Sequence, residues 1–273
     1  MNTRISLTAV GLMLLLSTAS AGGIGNQISI NVHKEAEGNY VTGEVIVAQY
    51  ADAVANVEGN DNFVEQNVDL FLNANTLEGN EEQPTIFTQH ALIMGNITGN
   101  GNSLSQNLLV NAHSNDLANS NMTQKAAQSA GILGNYNDVS QRTFVESHDN
   151  VLTFGDLVQF SALRTSVAGN YNVVDQSAEQ QVEYSSLTNS ELRQIIETSS
   201  PVLGSGNDIS QYAKVYANRN SLTANAVKVQ RIVEAANALG NDNSANHNLT
   251  LNEIDSSFTG GEFVQESKAI TDL

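Results

Sequence analysis

The sequence predicts an all-β fold in which seven units of about 35 residues stack as a β-arch or β-solenoid-like repeat. Three observations lead to this prediction. A glycine–asparagine motif recurs at nearly constant spacing, and the residues after it alternate between polar and apolar with period two. The chain also holds 35 Asn and 17 Gln among 273 residues. Each unit is expected to form strand, arch and strand, so that the stack gives two facing sheets preceded by an N-terminal signal helix.

The first element is a predicted signal peptide over residues 1–21. Arg4 supplies the positive start, Leu7–Leu16 is an almost unbroken apolar stretch, and Ala19–Ala21 has the small-residue pattern of a cleavage site. The apolar stretch is short for a membrane span, although a retained N-terminal anchor is the alternative. No second apolar segment follows, so we expect residues 22–273 to form a single repeat domain with no membrane span after cleavage.

The repeat has the template G-N-x-N-x-hydrophobic-x-Q, shown best by residues 134–141. Glycine adopts positive φ without steric cost and Asn tolerates it, so the pair suits the bend between strands. The predicted units start near residues 25, 59, 99, 134, 169, 204 and 240, and the turn glycines are Gly59, Gly99, Gly134, Gly169, Gly204 and Gly240. The longer unit that starts at 59 fits if about five residues are inserted near Glu78–Gln83.

The inward face of each first strand reads Asn, aliphatic, Gln, then small or aliphatic residues. A buried carboxamide without a partner costs about 1–3 kcal/mol, so each amide needs a like amide in the next unit. The predicted ladder residues of the first halves are Asn62, Gln66, Asn102, Gln106, Asn137, Gln141, Asn172, Gln176, Asn207 and Gln211. Those of the second halves are Gln49, Gln89, Gln124, Gln159, Gln194, Gln230 and Gln265.

Two other structures were weighed for the same sequence. A disordered polar tract need not keep apolar positions in register along the whole chain. A helix–turn–helix array also has a period of about 35 residues, but the Gly-Asn bends and the Val, Ile and Thr content favour strands.

Composition excludes several functions. The chain has no Cys, so a disulfide framework or thiolate metal site is excluded, and its net charge of −18 disfavours nucleic acid. The special residues recur in every unit instead of occurring once, so we expect no catalytic residues, no enzyme activity and no cofactor. No metal site is predicted, because none of the five histidines forms an i, i+4 pair, although His113 and His148 share a repeat position. Loose calcium binding among the carboxylates stays open.

Three Asn-x-Thr sequons are candidate glycosylation sites in an exported protein, at Asn96, Asn121 and Asn248.

The Gly-Asn…Gln units resemble those of secreted, amyloid-like assemblies. They are similar to the sheath proteins of filamentous methanogenic archaea and, more distantly, to curlin-type fibre repeats, whose units are about half as long. The paired half-motifs, the acidic balance and the Asn content fit the sheath type better. The resemblance implies a structural subunit of a cell-surface assembly, with stacked β-arches that continue from one chain to the next.

We therefore expect a secreted structural protein that polymerises through strand stacking into an extracellular sheath or fibre. Its partner is expected to be itself, as a homopolymer, with other cell-envelope proteins as further candidates. The terminal units of such a stack expose unpaired backbone groups that can template another chain. The alternative is a monomeric secreted β-solenoid that acts as an adhesin or ligand-binding module.

Overall fold

The computed structural model describes residues 4–5, 11–42, 46–79 and 85–272, and all of their regular secondary structure is β-strand. In chain order the strands are β1 Arg4–Ile5, β2 Gly11–Ile24, β3 Gln27–Glu37, β4 Tyr40–Thr42, β5 Ile46–Asn60, β6 Phe63–Asn73, β7 Thr76–Glu78, β8 Thr85–Thr98, β9 Ser103–His113, β10 Asp116–Ala118, β11 Ser120–Leu133, β12 Asp138–His148, β13 Val151–Thr153, β14 Asp156–Ala168, β15 Val173–Glu183, β16 Ser186–Thr188, β17 Glu191–Leu203, β18 Asp208–Asn218, β19 Ser221–Leu239, β20 Ser244–Ile254 and β21 Ser257–Asp272.

The strands form seven stacked coils, which confirms the predicted all-β solenoid. Each coil consists of a first strand of 11 residues, a sharp corner, a short strand and a long return strand. In the last two coils the short and long strands are continuous, as β19 and β21. All pairings are parallel and join equivalent residues of successive coils, for example Gln141 with Gln106 and Gln176.

Two parallel sheets result. The seven first strands form one sheet, in the order β20-β18-β15-β12-β9-β6-β3. The short and long strands form the other, joined through β19, which pairs with β16 at its start and with β17 along the rest of its length. The short strands refine the prediction, because each arch contains a hydrogen-bonded strand of its own, such as β10, which begins at the residue after Asn115.

Alternating burial along the strands places the core between the sheets. In β12, for example, Val139, Gln141, Thr143 and Val145 are buried, while the residues between them are partly or fully exposed. The main apolar cluster lies between the first and long strands. A second cluster fills the corner at the short strands, with Leu77, Phe87, Leu117, Met122, Leu152, Leu157, Leu187, Leu192 and Leu222.

The structure supports an insertion in the second coil. Thr85 pairs with Ser120, and Glu78 pairs with Ala118. Five more residues therefore separate the two strands here than in the next coil. Most of the predicted insertion, Glu78–Gln83, falls on residues 80–84, which lie outside the described residues.

Two details of the prediction are corrected. The described part of the predicted signal helix has strand conformation. β2 pairs in parallel with β5 and so adds one more long strand before the long strand of the first coil. A short apolar run suits either a strand or a helix, and the free edge of β5 supplies the partner that favours the strand. The first unit is also shifted, because Gly23 and not Gly25 pairs with Gly59.

Candidate functional site

A ladder of asparagines follows the first corner through all seven coils. In each step the backbone N–H and the Nδ2 of one Asn both donate to Oδ1 of the Asn in the next coil, at 2.9–3.1 Å. Its members are Asn26, Asn62, Asn102, Asn137, Asn172, Asn207 and Asn243. The second Nδ2 hydrogen in most coils reaches a glycine carbonyl, as from Asn137 to Gly99 at 3.0 Å. Each amide between the two end coils is therefore fully used inside the stack.

Glutamines form a second ladder in the centre of the first strands. Nε2 of each Gln donates to Oε1 of the Gln one coil earlier, at 2.8–3.0 Å, through Gln66, Gln106, Gln141, Gln176 and Gln211. The ladder stops where His247 pairs with Gln211, and Oε1 of Gln211 has no hydrogen-bond partner among the described residues. This ladder is therefore internal to the chain.

The third ladder lies on the long strands and spans every coil. Its glutamines are joined Nε2 to Oε1 at 2.7–3.2 Å, through Gln49, Gln89, Gln124, Gln159, Gln194, Gln230 and Gln265. Several also donate to the facing first strand, as Gln124 does to the carbonyl of Glu146 at 3.1 Å. The long-strand ladder thus links coils along the stack and joins the two sheets across it.

The turn glycines are required by close stacking as well as by backbone conformation. Gly134 has φ of 143°, and a methyl group on it would lie 1.8 Å from the carbonyl oxygen of Gly99. The same contact recurs at 1.8–1.9 Å for the other five predicted turn glycines, Gly59, Gly99, Gly169, Gly204 and Gly240. Glycine is therefore the residue that lets successive corners approach to the strand spacing.

The predicted site residues did not include a second asparagine ladder at the corner before the short strands. It runs through Asn39, Asn75, Asn115, Asn150, Ser185, Asn220 and Ser256 with contacts of 2.8–3.4 Å. The signal is present in the sequence, since an Asn or Ser two residues before Leu recurs every 35 residues from Asn115 to Asn220. This pattern can be recognised as a second corner only once the strand inside the arch is known.

Two of the three buried Lys and Glu side chains among the described residues, Lys228 and Glu234, lie on β19 in the sixth coil, and the third, Lys34, lies in the first coil. Lys228 occupies a position that is apolar in the preceding coils and contacts the carboxylate of Glu253. Burial lowers the pKa of Lys228, while the adjacent carboxylate favours its charged form. Glu234 is fully buried with Oε2 3.2 Å from Nδ1 of His247, and burial raises the pKa of Glu234 to about 8. The end of the stack is therefore less apolar than its middle.

The three sequons all lie on strands. Asn96 and Asn248 are exposed and Asn121 is half-buried. Nδ2 of Asn96, the atom that a glycan would modify, donates to Oδ1 of Asn56 at 2.9 Å.

No family model, curated protein or solved structure matches this chain. None of the residues that the structure describes belongs to a helix with the length and apolar character of a membrane span.

Proposed function

We propose that this protein is a secreted structural subunit that polymerises head to tail, by stacking of its terminal coils, into an extracellular sheath or fibre of a cell envelope. The single observation that carries the proposal is that two amide ladders reach both end coils, each leaving a donor at one end of the stack and an acceptor at the other. The sequence resemblance to archaeal sheath proteins and curlin-type fibres supports the same assignment.

The ladder polarity makes the two ends complementary. Along the corner ladder, donors point toward the C-terminal coil, so Asn243 ends the chain with a backbone N–H directed at the next layer, and Asn26 offers Oδ1 at the other end. Along the long-strand ladder the donors point the opposite way, from Gln265 toward Gln49. In a head-to-tail stack, Asn243 would donate to Asn26 of the next copy and Gln49 of that copy would donate back to Gln265.

The end coils also have matching shapes and open core positions. The first strands of the first and last coils, β3 and β20, have the same 11-residue length. In the last coil, Phe263 pairs with the buried Lys228 and so continues a core column, yet it remains 40% exposed. Burial of such side chains under another coil gains about 25 cal/mol per Å² of apolar surface, in addition to completing the backbone ladder.

The N-terminal segment controls access to one of these ends. β2 covers the edge of β5, and Met13 pairs with Gln49 where every later coil has a glutamine. Removal of residues 1–21 would free that edge for the last long strand of another copy. Export and assembly would then be coupled, since the uncleaved chain keeps this edge paired. The net charge of −18 would keep subunits soluble before assembly and hydrate the wall afterwards.

The test compares residues 22–273 with two variants that carry the same charge change. Asn243→Asp keeps the oxygen that accepts from Asn207 but removes the side-chain donor and adds a charge at the end face. Asn241→Asp makes the same change at an exposed position, where the backbone N–H donates to Ser205. We expect polymers by negative-stain microscopy, with a reflection at about 4.7–4.8 Å along their axis. Asn243→Asp should slow their growth at least about tenfold, whereas Asn241→Asp should not.

Discrete monomers of residues 22–273 at all concentrations would contradict the proposal and favour the alternative of a monomeric binding module. Equal polymerisation of both variants would contradict the ladder contact across the interface. The full chain is the remaining comparison, because its covered β5 edge should delay assembly.

A further inference from the structure

Two histidines that are 35 residues apart stack at the corner where the first strands end. His113 is the last residue of β9 and His148 the last residue of β12, and their rings lie 5.2 Å apart with an interplanar angle of 14°. Asp149 follows directly, in the left-handed conformation with φ of 53°, and its carboxylate comes close to both rings. Three side chains with metal-binding atoms therefore meet at one exposed corner.

The distances among these atoms fit a small divalent metal ion that is intermediate between hard and soft, such as Zn²⁺. Oδ2 of Asp149 lies 3.0 Å from Nδ1 of His148 and 3.7 Å from Nε2 of His113. One ligand atom from each residue lies within 4.8 Å of the other two. Ligand atoms bound tetrahedrally to Zn²⁺ at about 2.0–2.2 Å are separated by roughly 3.3–3.6 Å. Small side-chain movements would bring the three atoms to these separations.

Each ring has a tautomer that leaves the nitrogen facing Asp149 unprotonated. Oγ of Ser114 lies 2.9 Å from Nδ1 of His113, and a proton held there leaves Nε2 as the unprotonated atom. Nε2 of His148 lies 3.9 Å from Oε2 of Glu183, which is beyond hydrogen-bond distance, and the tautomer that carries its proton on Nε2 leaves Nδ1 as the unprotonated atom. This Nδ1 is shielded from water and, despite its closeness to Asp149, has no hydrogen-bond partner among the described residues. A buried polar atom without a hydrogen-bond partner calls for an explanation, and a bound ion is one that also fits the two neighbouring ligand atoms.

We propose that Nε2 of His113, Nδ1 of His148 and the carboxylate of Asp149 bind one divalent ion of the Zn²⁺, Ni²⁺ or Cu²⁺ class per chain. Imidazole with carboxylate is the ligand set for such ions, whereas Ca²⁺ and Mg²⁺ require oxygen ligands. The side chains of His113 and Asp149 are 49% and 47% exposed, which leaves a coordination position for water or for a group from outside. The ion would connect the third and fourth coils at their corner. The site does not depend on the proposed polymerisation.

The experiment is calorimetric titration of the full chain with Zn²⁺, with Ca²⁺ as the competing ion. The test variants are His113→Asn and Asp149→Asn. Asparagine is compatible with the position of His113, because Asn73 pairs with His113 in the register of the preceding coil. His33→Asn is the matched control, since His33 packs against Phe71 elsewhere in the stack.

We expect one saturable Zn²⁺ site that Ca²⁺ does not displace. Each test variant should raise the dissociation constant at least about tenfold, Ser114→Ala should raise it about tenfold, and His33→Asn should leave it unchanged. Circular dichroism establishes that each variant is folded. For the wild-type chain, Co²⁺ should give the intense visible absorption of a tetrahedral site. Absence of saturable binding, displacement by Ca²⁺, or unchanged affinity in His113→Asn would each overturn the proposal.

Discussion

Replacement of Gln141 by Leu tests whether the glutamine ladder stabilises the stack. Gln141 is fully buried, donates through Nε2 to Oε1 of Gln106 at 2.8 Å, and accepts through Oε1 from Gln176 and from the Thr165 hydroxyl, each at 2.8 Å. Leucine leaves the Gln106 oxygen and the Thr165 hydroxyl without these partners, at about 1–3 kcal/mol each. Gln176 keeps its contact with the Thr165 oxygen at 3.2 Å.

Burial of the added apolar surface offsets about 1–2 kcal/mol of that cost, so the net loss of unfolding free energy should be about 1–4 kcal/mol. The assay is denaturant unfolding together with hydrogen exchange, because a solenoid loses stability around the altered coil first. Exchange should increase most in 103–113 and 173–183, the strands on either side. Ser140→Ala, half-exposed on the same strand, should change stability by less than about 0.5 kcal/mol. A loss in the Leu variant no larger than in this control would refute the reasoning.

Three further predictions concern the glycine corner, the buried Glu234 of the sixth coil and the apolar core. Gly134→Ala should lower the unfolding free energy by at least about 2 kcal/mol, because its methyl group would lie 1.8 Å from a carbonyl oxygen. Gly25→Ala has open space around it and should lower the unfolding free energy by about 1 kcal/mol; denaturant unfolding measures both. The folded chain retains a proton on Glu234, whose pKa rises from 4.5 to about 8, so unfolding free energy should fall by about 1–3 kcal/mol as pH rises across that interval. Glu234→Gln should flatten this dependence, and identical pH profiles for the two chains would contradict it. Phe87→Ala should lower the unfolding free energy by about 3–5 kcal/mol, because it opens a cavity in the second apolar cluster. Phe154 is exposed, so Phe154→Ala should lower it by less than about 0.5 kcal/mol. Similar shifts in melting temperature for the two variants would contradict the stabilising role of that cluster.

The sequence by itself determined the coil and most of its hydrogen-bonding interior. A constant spacing between Gln106, Gln141 and Gln176 forces these residues into one register, because a slip of a single residue would turn every buried amide outward. The glycines of the glycine–asparagine motifs likewise marked the corners, since they have φ of 120–149°, a conformation that glycine adopts without steric cost. Local periodicity was sufficient for these features because each coil contacts mainly its neighbours.

The tertiary structure decided what depends on the path of the chain between repeats. The short strand inside each arch, the pairing of Gly23 with Gly59, and the strand in place of a signal helix follow from which backbone edge is free to pair, which residue patterns do not encode. The approach of His113 to Asp149 is of the same kind, because the left-handed corner aims the carboxylate across to the neighbouring coil. The repeat spacing in the sequence predicts which residues stack. Only the three-dimensional structure determines how side chains from adjacent positions come together.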